Sequence, residues 1–201
     1  FSSFVTISNI SLEIAKVRAG TRIIAEDVGG CDGIIYEIPD SVECISEGLY
    51  SLASAYLVDD NNNYFSDIDG VLFNKDKTVL INYPGGREGD TYVVPAGVKE
   101  IGEDAFIYSE ITKVVLPEGL EKIGDAAFNP SNLKEFNLPS SLKEIGDYAF
   151  DFNNITGHLE IPEGVEEIED YAFYKCAELS ITLPETMSIT LPESLSKLGD
   201  Y

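Results

Sequence analysis

Basic residues are scarce in this chain of 201 residues. Only 13 Lys and Arg stand against 36 Asp and Glu, which gives a formal net charge of −23. Because phosphate binding requires clustered Lys and Arg, this balance argues against a nucleic-acid-binding protein. It also argues against adhesion to anionic lipid surfaces, which attract basic segments. Such acidity is typical of a protein that stays soluble and monomeric because its molecules repel one another. It also fits a protein that binds cations or a cationic partner.

Histidine and cysteine are also too few to suggest a catalytic or metal centre. His158 is the single histidine, and the three cysteines (Cys31, Cys44 and Cys176) are far apart, with no Cys-x-x-Cys motif. A structural zinc site needs about four such ligands. An odd number of cysteines leaves at least one thiol outside any disulfide. The sequence leaves open which cysteines pair, if any do.

Long apolar runs are absent, although 44% of the residues are hydrophobic. No stretch approaches the roughly 20 consecutive apolar residues of a membrane-spanning helix. The hydrophobic share is close to that of folded globular proteins, so the chain can build a core. We therefore expect a folded protein without membrane insertion.

A repeat dominates the rest of the sequence. The segment LPEGLEKIGDAAF at residues 116–128 has gapless counterparts, and its central isoleucine recurs every 22 or 23 residues between Ile101 and Ile168. Chance does not give several such matches at a nearly constant step, so the sequence predicts a repeat protein. The strong copies are residues 94–106, 116–128, 138–150 and 161–173, and the weaker or truncated ones are 17–29, 38–50 and 191–201. The marker positions are Ile24, Ile45, Ile101, Ile123, Ile145, Ile168 and Leu198.

Each repeat unit predicts two short strands joined by turns. In residues 134–138 apolar and polar side chains alternate, so that Phe136 and Leu138 share the buried face of a strand. The proline that follows has no N–H to donate and ends this strand, and a second short strand leads to the marker isoleucine. A Gly-Asp turn with an Asp cap and a helical half-turn, which carries an Ala-Phe pair such as Ala149-Phe150, complete the unit. Since no unit can bury its own apolar residues, the units must stack, with strands about 4.8 Å apart in a parallel sheet.

One long interruption separates the weaker copies from the strong ones, because the step from Ile45 to Ile101 is 56 residues. Within it, residues 71–73 and 78–81 alternate on either side of a polar turn, which predicts a β-hairpin. A single solenoid domain, residues 1–201, is expected. It divides into degenerate repeats (1–50), an insert with the hairpin (51–92) and regular repeats (93–201). The hexapeptide SITLPE at 180–185 recurs at 188–193, and which copy joins the sheet stays open.

The unit Leu-Pro-x-x-Leu-x-x-Ile-Gly-x-x-Ala-Phe, with Cys176 three residues after a phenylalanine, resembles the BspA-type leucine-rich repeat. The segment YFSDIDGVLFNKD at 64–76 is similar to one that recurs in such proteins. The resemblance implies a repeat solenoid, α/β to mainly β, which is a right-handed leucine-rich-repeat-like coil. A parallel β-sheet and short helical turns would form its repeats of 22–23 residues. It also implies a secreted or cell-surface bacterial protein that binds a host or microbial surface protein or glycan, without catalysis or a cofactor.

Few residues suggest catalysis or metal binding. A Ser-His-Asp or Cys-His arrangement would have to use His158, which the repeat phase places on a strand and pointing away from the core. Acids recur at turn positions, which fits solvated caps better than paired glycosidase carboxylates. The acidic run at 59–69 offers oxygen ligands for calcium but lacks the EF-hand spacing. No catalytic or metal-binding residue is predicted, and a calcium-dependent binder or a hydrolase is the remote alternative.

The most specific functional prediction is geometric. Along the first strand of each coil, the residues between the buried positions face outward together and form a row across the sheet. This row predicts a binding face on a monomeric, extracellular protein, and the loops of the insert are a second candidate surface. A structural spacer within a larger surface protein is the alternative function. The predicted face consists of Thr91, Val93, Lys113, Val115, Glu135, Asn137, His158, Glu160, Ser180 and Thr182.

Overall fold

The computed structural model describes residues 14–24, 33–45, 53–176 and 178–183. Every regular element within these ranges is a β-strand, and they contain no helix long and apolar enough to cross a membrane. Several features of the sequence lie outside these ranges: Cys31, the marker Leu198, residues 25–29 and 46–50 of two weaker copies, the truncated copy at 191–201 and the second hexapeptide copy at 188–193.

Short strands alternate with turns along the described chain. The N-terminal half contains β1 (Ile14–Lys16), β2 (Ile23–Ile24), β3 (Ile35–Ile38), β4 (Cys44–Ile45), β5 (Ala55–Val58), β6 (Phe65–Ile68), β7 (Val71–Asn74) and β8 (Val79–Asn82). The C-terminal half contains β9 (Thr91–Val93), β10 (Glu100–Ile101), β11 (Lys113–Val115), β12 (Lys122–Ile123), β13 (Glu135–Phe136), β14 (Glu144–Ile145), β15 (Thr156–Glu160), β16 (Glu167–Ile168) and β17 (Glu178–Thr182). Such short strands depend on neighbouring coils for their hydrogen bonds.

The marker isoleucines lie in direct register in neighbouring coils, which confirms the repeat. In the parallel pair β2–β4, Ile24 lies opposite Ile45. The first strands of the coils form separate parallel ladders, β1–β3–β5, β9–β11–β13 and β15–β17. The first copy of the duplicated hexapeptide joins the sheet, since β17 contains its Ser180. The parallel run β10–β12–β14–β16 aligns Ile101, Ile123, Ile145 and Ile168.

The interruption folds into an antiparallel meander between the two halves of the solenoid. The predicted hairpin is confirmed, because β7 pairs antiparallel with β8, and β8 then pairs parallel with β10. The structure adds β6, which pairs with β7 across a turn at Asp69 and Gly70. Both turn residues have positive φ (50° and 80°), as a tight two-residue hairpin requires, so this Asp-Gly pair was the sequence signal for the extra strand. Because β5 continues the first ladder, residues 51–92 also include a coil strand.

A continuous column of phenylalanine rings fills the interior of the regular coils. Phe106, Phe128, Phe150 and Phe173 are at most 1% exposed. Successive ring centroids lie 4.7, 5.1 and 5.2 Å apart, and their planes are within 14° of parallel. The alanine before each phenylalanine is fully buried, as predicted for the place where coils approach closely. A second cluster of buried residues fills the N-terminal coils.

The prediction of a helical half-turn at the Ala-Phe pair is wrong. The residue before each pair has a left-handed φ between 49° and 59°, which a right-handed helix excludes. Backbone N–H groups of this turn have partners in both places. Ile107 donates to the carbonyl of Asp104 within the turn (3.1 Å), whereas Phe106 donates to the carbonyl of Ala127 in the next coil (2.8 Å). The Asp cap also acts between coils, since the Asp125 carboxylate accepts the N–H of Asp147 (3.0 Å). The left-handed residues are Asp104, Ala126, Tyr148 and Tyr171.

A glycine after the marker isoleucine lets neighbouring coils approach closely. A Cβ atom added to Gly146 would lie 2.8 Å from both the backbone nitrogen of Asp125 and the carbonyl carbon of Gly124. Because backbone atoms cannot rotate away, we expect Gly146→Ala to lower the free energy of unfolding by about 2–3 kcal/mol, measured by urea denaturation. Glu169 occupies the same position one coil later and already carries a Cβ, so Glu169→Ala should change it by less than about 0.5 kcal/mol. Equal losses in the two variants would contradict the steric explanation.

Candidate functional site

Half of the predicted face lies on the ladder β9–β11–β13. Lys113 stands in register between Thr91 and Glu135, and Val93 stands next to Val115. Val115 is half-buried and the other four are exposed, with Val93 reaching 62%. The residues that alternate with them belong to the core or pack against it. These five side chains therefore face outward as one row.

Four more face residues lie on the ladder β15–β17. His158 stands next to Ser180, and Glu160 stands next to Thr182. All four are exposed. In the part of the chain that the structure describes, β15 does not pair with β13, so the predicted face consists of two groups rather than one unbroken row.

Asn137 lies between the two groups, directly after β13, and its side chain contributes to the fold. Its side-chain oxygen accepts the N–H of Leu116 (3.1 Å), and its side-chain nitrogen donates to the carbonyl of Leu116 (3.2 Å). A strand residue of the next coil would ordinarily make this pair of bonds. The amide of Asn137 thus extends the ladder where the backbone pairing has ended.

The only histidine is held by hydroxyl groups of the neighbouring strand. The Nδ1 atom of His158 lies 3.0 Å from Oγ of Ser180, and its Nε2 atom lies 3.2 Å from Oγ1 of Thr182. The Ser180 hydroxyl also donates to the carbonyl of Gly157 (3.1 Å). A catalytic triad instead places a carboxylate on one ring nitrogen and a nucleophile on the other. The contacts of His158 are those of an exposed polar ladder.

Lysines and glutamates pair between neighbouring coils, which sequence reasoning missed. All six ion pairs among the described residues join positions 21 to 23 residues apart, which is one coil. The signal was a lysine or arginine in one copy matched by a glutamate at the same place in the next. Such pairs near the surface contribute little to stability, because water and salt screen their attraction. They are Lys16–Glu37, Arg22–Glu43, Lys99–Glu121, Lys113–Glu135, Lys122–Glu144 and Lys143–Glu166.

One column of side chains alternates in charge along four successive coils, and we call it the alternating column. Nζ of Lys99 lies 2.8 Å from Oε1 of Glu121, and Nζ of Lys143 lies 3.2 Å from Oε1 of Glu166. The pKa of Glu121 is lowered by the hydrogen bond and charge of Lys99, and further by the charge of Lys143. The few basic residues are thus placed between carboxylates, where they offset repulsion within an acidic protein.

The acidic run of the insert uses its carboxylates locally. Oδ1 of Asp59 accepts hydrogen bonds from the backbone and side-chain nitrogens of Asn61 (2.9 and 3.0 Å). Oδ1 of Asp67 accepts the N–H of Val58 (2.9 Å). Within the described ranges, no three His, Cys, Asp or Glu side chains are grouped closely enough to hold a metal ion. These contacts stabilise the turn that follows β5 and join β6 to β5.

Solved structures with the same fold include two leucine-rich bacterial proteins and a pneumococcal antigen. A leucine-rich repeat protein from Eubacterium ventriosum is 23% identical, with a TM-score of 0.69 over 86% of this chain. A leucine-rich cell surface protein from Faecalibacterium prausnitzii is 25% identical, with a TM-score of 0.73 over 92%. The pneumococcal vaccine antigen PcpA is 24% identical, with a TM-score of 0.63 over 89%. This chain spans only 55–56% of the length of those chains.

The repeat itself identifies the family. A search of curated proteins finds no match. Residues 90–201, more than half of the chain, match the BspA type leucine-rich repeat region in six copies. The match covers the same coils in which the marker isoleucines and the phenylalanine column are in register. The chain therefore belongs to the BspA type leucine-rich repeat family.

Proposed function

We propose that this chain is a non-catalytic binding module of a bacterial surface or secreted protein, which contacts a protein or glycan through its outward strand residues. The observation that carries the proposal is the exposure of nine of the ten predicted face residues along parallel strands of adjacent coils. One of the structures with this fold is described as a cell surface protein, which supports an extracellular location. The alternative is a structural spacer that holds other domains apart.

The face suits recognition because its groups are varied and their backbone is fixed. It combines the apolar Val93, the paired charges of Lys113 and Glu135, and the polar group around His158. Hydrogen bonds between coils hold the strands, so a partner would not need to order the backbone on binding. Exposed charges at such a face contribute mainly to specificity and to the rate of association.

The proposal of a non-catalytic role is supported by how the polar groups are used. Both ring nitrogens of His158 meet hydroxyl groups on an exposed ladder. The carboxylate of Asp125, one of the recurring turn acids, accepts a backbone N–H of the next coil. A hydrolase would instead need carboxylates or a nucleophile that converge on one substrate atom.

The test measures binding of the purified chain to an array of host matrix proteins and glycans, with and without calcium. Lys113→Ala, Glu135→Ala and Glu160→Ala are combined in one variant. Its matched control combines Lys122→Ala, Glu144→Ala and Glu167→Ala. Each variant loses one lysine, two glutamates and one ion pair between coils, so net charge and fold should respond alike. We expect the face variant to bind at least about tenfold more weakly than the control.

Two outcomes would contradict the sheet face as the binding site. Equal binding by both variants would move the site to the loops of the insert between β5 and β9. A failure of the unaltered chain to bind anything on the array would favour the spacer.

A further inference from the structure

Four exposed aromatic side chains cluster at the turns of the last described coils, and we call them the aromatic edge. Tyr148 and Tyr171 stack with ring centroids 5.0 Å apart, and Tyr171 meets Tyr174 edge-on at 5.5 Å. Phe152 is the fourth member, and its N–H donates to the carbonyl of Tyr174 (3.3 Å). The four side chains are between 39% and 54% exposed. Clustered exposed rings of this kind mark interaction sites on soluble proteins.

The fold does not require rings at the turn position that Tyr148 and Tyr171 share. In the preceding coil Ala126 fills the same position with a similar left-handed φ (49°, against 55° for Tyr148). The core behind the turn is filled by the phenylalanine two residues later, as by Phe150 behind Tyr148. The tyrosine rings therefore contribute surface rather than core.

Three carboxylates act electrostatically on Tyr148, one ring of the stacked pair. The pKa of Tyr148 is raised by partial burial first and then by its neighbour Tyr171. The negative charges of Asp147, Asp151 and Asp170 raise it further. The net charge of −23 adds a long-range attraction for cations. The aromatic edge thus combines ring faces with negative potential.

The aromatic edge already binds one cation from its own chain. The Lys175 ammonium lies 3.7 Å from the ring centroid of Phe152 and 5.0 Å from that of Tyr174. Both distances are within the range of cation–π attraction. A lysine side chain can therefore bind to these rings. The stacked pair Tyr148–Tyr171, with acids nearby, offers the same kind of surface to cations from a partner.

We propose that the aromatic edge docks a lysine- or arginine-rich segment of a partner protein. Its cationic groups would lie against the exposed ring surface of Tyr148 and Tyr171, beside Phe152 and Tyr174, which Lys175 already contacts. The negative charges of Asp147 and Asp170 would attract them. The hydrocarbon stem of a long basic side chain covers apolar ring surface while its charged end reaches an acid. A neutral glycan would use the rings but would gain nothing from the negative charge around them. This site is on the turns, so it is independent of the proposed sheet face.

The test follows a fluorescein-labelled peptide of alternating lysine and glycine by fluorescence anisotropy, at physiological ionic strength where long-range attraction is screened. A variant with Tyr148→Leu, Phe152→Leu and Tyr171→Leu keeps the net charge and much of the apolar volume. We expect it to bind about tenfold more weakly than the unaltered chain. The matched control is Tyr64→Leu, a tyrosine 49% exposed in the meander, which should bind within about twofold of the unaltered chain.

Three results would overturn the proposal. The first is a failure of the unaltered chain to bind the peptide at all. Equal binding by the triple variant would show that net charge alone attracts the peptide. Binding of a neutral glycan to the unaltered chain, lost in the triple variant while peptide binding persists, would assign the aromatic edge to sugars instead.

A measurement on the unaltered chain keeps the proposal testable if the triple variant does not fold. Tetramethylammonium is titrated while the aromatic NMR signals are followed. We expect shifts of the rings of Tyr148, Phe152, Tyr171 and Tyr174, with Tyr64 unaffected. Equal shifts at Tyr64 would overturn the proposal.

Discussion

Replacing Phe150 with alanine is expected to lower the free energy of unfolding by about 4 kcal/mol. The ring is fully buried and lies 5.1 Å from Phe128, 5.2 Å from Phe173 and 4.5 Å from Phe136, centroid to centroid. Its removal would leave a cavity in the middle of the column that neither neighbouring ring could fill without leaving its own stack. The measurement is urea denaturation followed by circular dichroism.

The same substitution two residues later supplies the control. Phe152 is 54% exposed, so Phe152→Ala should cost less than about 1 kcal/mol. Because coils of a solenoid contact only their neighbours, the Phe150 variant should also unfold less cooperatively, with a lower dependence on urea concentration. Similar losses in the two variants would show that the column does not hold the coils together.

Replacing Asn62 with aspartate is expected to cost about 4 kcal/mol at neutral pH. Asn62 is fully buried, and its Nδ2 donates to the carbonyls of Pro39 and Val42, both at 2.9 Å. Its Oδ1 accepts the N–H groups of Tyr64 and Phe65, both at 2.8 Å. An aspartate of the same shape would keep the two accepted bonds but would place an anionic oxygen against two carbonyl oxygens. The amide therefore joins the second coil to the meander in a way a carboxylate cannot.

The pH dependence of this loss has a definite sign. Burial beside two carbonyls would raise the pKa of the new aspartate in the folded state, so the folded protein would bind its proton more tightly than the unfolded chain. Stability of the variant should therefore rise relative to the control as the pH falls from neutral toward the ordinary aspartate pKa of about 3.9. The control is Asn63→Asp, the same change at an exposed neighbour, which should cost less than about 0.5 kcal/mol. A difference between the two variants that does not change with pH would contradict the buried-charge explanation.

The sequence predicted the features that repeat. Ile101 and Ile123 could be placed side by side from the spacing of the copies alone, because a constant step leaves a stacked coil only one register. The prediction of a helical half-turn was wrong because it considered the conformational preference of the local residues without the hydrogen bonds that the next coil offers. The N–H of Phe106 donates to a carbonyl of the next coil, and the left-handed conformation of Asp104 precedes this contact in the turn. Strand β6 was missed because Ser66 and Asp67 interrupt its apolar pattern, although the Asp69-Gly70 pair is typical of a hairpin turn.

The outward face was also predictable, whereas the use of its charges was not. Alternation fixed which side of the strand Lys113 and Glu135 would occupy. Their ion pair depends on one side chain reaching across a coil to the other, which strand alternation alone does not indicate. The aromatic edge was missed for a related reason. Tyr148 and Tyr171 are neighbours only because one coil step separates them, and their exposure follows from a turn conformation that the pattern of apolar residues does not report. The ligand stays a proposal because a fold shared by many binding proteins does not specify one.

The alternating column has a consequence for how such a gene can change in length. Recombination between neighbouring copies would remove or add 22 or 23 codons and keep every phenylalanine in phase. Loss of one coil, however, would set Lys99 beside Lys143, whereas loss of two would set Lys99 beside Glu166. Each contact between like charges lowers stability by up to about 1 kcal/mol. Gain or loss of an even number of coils avoids such contacts along this column. In this region of the gene, the alternation therefore favours the gain or loss of coils in pairs.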